Sequence, residues 1–97
     1  MKVKEFILCS AILHGSIIIP GRRHSDCYDL LARLVPDLPA TELPDKKQQG
    51  FLTSINRFVS REDGWDIAVA NNQIKYGLVA STAEPGERSI LISENLY

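Results

Sequence analysis

The chain is poor in cysteine, in long apolar runs and in excess charge of either sign. Cys9 and Cys27 are the two cysteines among 97 residues. Neither belongs to a C-x-x-C pair, which argues against a disulfide-stapled secreted framework and for a reducing, cytoplasmic setting. No apolar stretch approaches the roughly 20 residues that a bilayer-crossing helix needs. Residues 6–13 resemble the apolar core of a signal peptide, but they follow Glu5 and lead into His14-Gly15 with no small-residue cleavage pattern, so a strand is the better reading. The formal net charge is −1, without the broad basic footprint that a nucleic-acid polymer demands; a small anionic ligand fits better. What remains, 44% apolar and 24% charged residues, is the composition of a folded globular chain. Residues 1–97 are expected to form a single domain, whose small core makes self-association a plausible source of stability.

The apolar pattern predicts the elements. Residues 3–13 and 16–19 are rich in Ile, Val, Phe and Leu and flank His14-Gly15, which predicts an N-terminal hairpin ended by Pro20-Gly21. Ser25 is expected to cap a helix in which Cys27, Leu30, Leu31 and Leu34 fall on one stripe before Pro36 stops it. Residues 37–50 hold two of the five prolines and read as a surface loop. A brief strand is expected over 51–55. Ser60-Arg61-Glu62-Asp63 then matches the spacing of a capping box and should open a second helix, weakened by Gly64 and ended by Asn71-Asn72. Late strands are expected around 74–79 and 90–92, with a turn at 84–87 between them. The sum is an α+β fold, a small antiparallel sheet with two helices packed on one face, in an oligomer.

Two stretches place cations where helices are expected to start. A helix N-terminus offers unpaired N–H groups and the positive end of the macrodipole, and a guanidinium adds two directed donors. Arg22, Arg23 and His24 precede the first helix; Arg57 and Arg61 are read the same way at the second, with Phe58 for stacking on a base and Asn56 for reading an edge. The plainer alternatives are a solvated basic loop for the first group and a core position for Phe58. A zinc site built on His24 and Cys27, with Cys9 and His14, is generic in spacing, and Cys27 already belongs to the apolar stripe. No metal or cofactor is expected, and no catalytic spacing is specific enough to assign an enzyme.

The blocks Gly21-Arg22-Arg23-His24, then residues 49–62, Gln73-Ile74 and Ser93-Glu94-Asn95-Leu96-Tyr97 resemble a family of small phage proteins that includes Thoeris anti-defence sponges. Those sponges capture cyclic ADP-ribose isomers made by bacterial TIR enzymes and, in some cases, cyclic oligonucleotides. The resemblance implies a cytoplasmic protein of the infected host, a homo-oligomer built from dimers, with pockets near subunit interfaces that enclose a nucleotide without cleaving it. It carries Arg23, His24, Asn56, Arg57 and Phe58 over as ligand contacts; Arg22, Thr53 and Arg61 are added on physical grounds. Where the family pattern has alanine in the second helix, this chain has Gly64.

Three functions follow for comparison. A nucleotide sponge releases intact ligand on heating. A small hydrolase using His24 turns the nucleotide over. A protein-directed inhibitor of a host defence factor uses the acidic tail and residues 37–50 as its contact surface.

Overall fold

The computed structural model describes residues 4–75 and 90–96. The chain begins with a hairpin of β1 (Ile7–His14) and β2 (Ile17–Gly21). His14 pairs with Ile17, so the connecting residues are Gly15 and Ser16 rather than His14 and Gly15. Gly15 has φ 61, the left-handed first position that a two-residue hairpin turn reserves for glycine. Helix α1 (His24–Leu34) follows, and residues 37–48 contain two short 3-10 turns, Ala40–Glu42 and Lys46–Gln48. Then come β3 (Gln49–Thr53), β4 (Phe58–Ser60) and α2 (Arg61–Ala70). The four strands form one antiparallel sheet in the order β2-β1-β3-β4.

Register explains the layering. Ser10 lies opposite Phe51, Ile12 opposite Ile19, and Phe51 opposite Val59, so these side chains share one face of the pleat. An irregularity between Ile7 and Cys9 resets the alternation and returns Ile7 to that face, opposite Thr53. Both helices cover it. Helix α1 buries Cys27 and Leu31 on Ile12 and Ile19; α2 packs Ala68 near Phe51, Val59 and Ile7, with Leu91 and Leu96 closing the cluster. Gly64, read from sequence only as a weak point of the helix, is buried, and a Cβ there would stand 3.1 Å from the Phe51 ring. Its bareness brings helix and sheet together.

Two expected boundaries move. The N-cap of α1 is Arg23, not Ser25, and the Asp26 carboxylate accepts the Arg23 N–H at 3.0 Å. Ser60 does cap α2, its hydroxyl accepting the Asp63 N–H at 3.2 Å. Arg57, expected at that helix start, lies four residues earlier in the β3–β4 turn, where Asn56 adopts φ 61. Asn71 caps the far end of α2. The expected strand over 74–79 falls largely outside the described residues, as does the turn over 84–87. Residues 90–92 are extended without pairing into the sheet and lead into a 3-10 turn, Ser93–Asn95.

Arg57 is engaged by the N-terminal segment. Its guanidinium donates to both oxygens of Glu5, at 2.6 and 2.8 Å, while the Thr53 hydroxyl donates to one of them at 2.7 Å. Arg57 first and Thr53 second pull the Glu5 carboxyl down to about 2. A depressed carboxyl stabilises the fold fully above its unfolded value near 4.5, and that contribution is lost as pH falls toward 2. Melting curves across that window should therefore be flatter for Glu5→Gln than for the parent chain; equal acid slopes would show the clasp to be thermodynamically silent.

Candidate functional site

The starts of α1 and α2 meet above the start of β3. His24, the first residue of α1, shares a hydrogen bond of 2.9 Å between Nε2 and the Gly50 carbonyl, and its ring meets Phe51 edge-on with centroids 5.3 Å apart. A carbonyl only accepts, so Nε2 carries the proton. Arg61, the first residue of α2, donates from its guanidinium to the side-chain oxygen of Gln49. The Gln49 amide donates to the Tyr28 hydroxyl at 2.9 Å, which donates to the Pro44 carbonyl at 2.6 Å. This relay fixes the near wall of a cleft between the helices.

Arg61 divides the cleft. On one side a cavity of about 300 Å³ is lined by Arg23, His24, Ser25, Ser93 and Glu94; on the other a cavity of about 330 Å³ is lined by Lys46, Lys47, Gln49, Ser60 and Glu62. The buried Arg61 Nε has no hydrogen-bond partner among the described residues. An unmet donor on a charged group is costly unless an acceptor arrives. Arg23 stands 3.5 Å from the Glu94 carboxylate.

His24 does not act as a cation here at neutral pH. Burial is the main force holding its imidazole below the ordinary value, and the Arg61 charge adds to it, against smaller opposing pulls from the Gly50 carbonyl and Glu94. His24 thus contributes a neutral ring. At pH 7.5, His24→Gln should bind anions within about threefold of the parent chain, whereas only the parent should gain affinity at a pH low enough to charge the ring, below its ordinary value. Titration at the two pH values checks this.

The residues anticipated from sequence fall into three groups. Arg23, His24 and Arg61 are brought together in the cleft, with the exposed Arg22 beside them in the chain. Thr53, Asn56 and Arg57 gather with Glu5 at the other end of β3, about 13 Å away at the usual rise per strand residue. Phe58 belongs to neither group: its ring lies over Gly50, and it pairs with Leu52 on the sheet face opposite the helices. Lys46, Lys47, Gln49 and Glu94 line the cleft without having been anticipated; the adjacent lysines were the one local signal for them.

The Cys27 thiol donates to the Arg23 carbonyl at 3.4 Å, and burial leads the effects that push it up to about 12, far from a reactive thiolate. No group of three or more metal-ligating side chains occurs among the described residues. No described helix is long and apolar enough to cross a membrane. Among protein families, the model described as Phage T4 y16D protein matches residues 6–97. No curated protein and no solved structure matches the chain.

Proposed function

The chain belongs to the phage T4 y16D protein family, and we propose that it is an anti-defence protein that sequesters a cyclic nucleotide signal, a cyclic ADP-ribose isomer or a cyclic oligonucleotide, without cleaving it. The observation that carries this reading is the meeting of two helix starts at Arg61, whose Nε has no hydrogen-bond partner among the described residues. A phosphate seated there meets the positive ends of both helices and directed guanidinium donors. In the adjoining cavity Lys46 and Lys47 stand with Arg61 against the single acid Glu62, a net positive lining, so a ligand with two phosphates suits the cleft better than one with a single phosphate. The His24 Nε2 proton is held by the Gly50 carbonyl, which takes that nitrogen out of acid catalysis and favours sequestration over hydrolysis.

The same reading includes a homo-oligomer in the cytoplasm of the infected cell. The Thr53, Asn56 and Arg57 group sits too far along β3 to close over the cleft of its own chain. A second copy that brings this turn across the opening would unite the two groups and exclude water from the phosphates, as tight binding requires. The test is calorimetric titration with cyclic ADP-ribose isomers and cyclic di- and trinucleotides, then chromatography of ligand released by heat. Tight binding with intact release is the expected result. Altered ligand would replace the sponge by an enzyme, and no binding by any member would overturn the reading.

A further inference from the structure

The cleft also holds an acid, which a receptor for a bare anion does not need. Glu94 shares its cavity with Arg23, His24 and Arg61, and an approaching phosphate meets repulsion from it. Its mounting is rigid. The Leu91 N–H donates to the Arg61 carbonyl at 2.9 Å, the Lys75 N–H donates to the Asn95 carbonyl at 2.9 Å, and the neighbouring Ser93 and Asn95 are 4% and 1% exposed. Leu91 and Leu96 anchor the same segment in the core. The Glu94 side chain nevertheless stays 62% exposed, so a fixed backbone presents an open carboxylate beside the phosphate-binding groups. An exposed ion pair with Arg23 is weak in itself and gives little reason for such a mount.

A carboxylate has two acceptor oxygens, spaced to take both hydroxyls of a cis-diol, and nucleotide sites use an acid in this way on ribose. We propose that Glu94 is the specificity residue of the cleft, accepting the vicinal hydroxyls of a ribose while Arg23 and Arg61 hold the attached phosphates. The ligand class this selects is a ribose phosphate ester with a free vicinal diol, which favours a cyclic ADP-ribose isomer over a cyclic oligonucleotide, whose 2′ or 3′ oxygen is esterified, and over inorganic pyrophosphate and deoxy sugars. The Ser93 hydroxyl lies 3.4 Å from one Glu94 oxygen and Arg23 lies 3.5 Å from the other, so each oxygen keeps a lone pair for a sugar hydroxyl while its neighbours orient the carboxylate. This inference rests on the cleft being an anion site.

The experiment is titration of the full chain, and of Glu94→Gln and Glu94→Ala, with ADP, 2′,3′-dideoxy-ADP and inorganic pyrophosphate at up to millimolar concentration. The parent chain is expected to bind ADP about tenfold tighter than the dideoxy analogue. In both variants that ratio should fall toward one, while pyrophosphate binds several-fold tighter because the repulsive charge has gone. An unchanged ratio, or a uniform gain for all three probes, would reduce Glu94 to a competing counter-ion and overturn the proposal. Pyrophosphate binding that is lost in Arg61→Ala would still uphold the anion site in that case. Absence of binding by all three probes would remove the site and the proposal together.

Discussion

Replacing Arg61 by alanine is expected to lower affinity for a diphosphate ligand by at least a hundredfold while the chain stays folded. Arg61 faces both cavities of the cleft, and its guanidinium, which already serves Gln49, has an Nε with no hydrogen-bond partner among the described residues. A hydrogen bond to a charged group contributes about 1.5–3 kcal/mol, so losing two of them reaches two or more powers of ten in binding. Arg61→Lys should recover only part of this, because an ammonium supplies charge without the planar fork. Stability should change little. The substitution leaves Ser60 to cap α2 and frees the Gln49 carbonyl at a cleft open to water, a loss of about 1 kcal/mol and some 4–8 °C in Tm for a chain of this size. Arg33→Ala, on the last turn of α1, is the control and should bind as the parent does. Equal binding by Arg61→Ala and Arg33→Ala would place the ligand elsewhere.

The same residue marks how far sequence alone reaches. The hairpin, α1 and the Ser60 cap were legible because each is written in a few adjacent residues: β-rich runs around Gly15, an apolar stripe ended by Pro36, and a cap three residues before its N–H donor. Strand β4 was not legible, since its three residues run straight into α2 with no turn signal between them. Missing it placed Arg57 at the helix start, whereas Arg57 belongs to the turn and answers a carboxylate 52 positions away. Asn56 reads in sequence as a base-reading side chain, and its backbone at φ 61 adds a local reason for asparagine there that the sequence does not display. The cleft was half legible. Cations at helix starts are local features, but the meeting of those starts depends on strand order, and Gln49, Lys46 and Glu94 join them only through contacts between distant segments. Lone polar residues carry no sequence mark of such a meeting.

Gly50→Ala should destabilise the chain by about 3 kcal/mol or more, at the upper end of overpacking costs, and lower Tm by at least about 12 °C. Gly50 pairs with Ala11 on one side and Ser60 on the other, in the strand next to the sheet centre. A Cβ there would stand 2.0 Å from the Val59 carbonyl oxygen and 2.6 Å from the Phe58 ring. The ring can swing aside, but the backbone oxygen moves only if β4 pulls away from β3. That distinction is testable, because Phe58→Ala removes the ring and leaves the carbonyl. The double variant Gly50→Ala, Phe58→Ala should therefore be no more stable than Gly50→Ala alone; full rescue would show that the ring, not the backbone, sets the limit. Displacing β4 has a further consequence, since Arg61 follows Ser60 directly and His24 bonds to the Gly50 carbonyl. A Gly50→Ala chain held folded at low temperature should then lose anion affinity along with stability, because the β3–β4 pairing that excludes a side chain at Gly50 also sets the position of Arg61 against the α1 N-terminus.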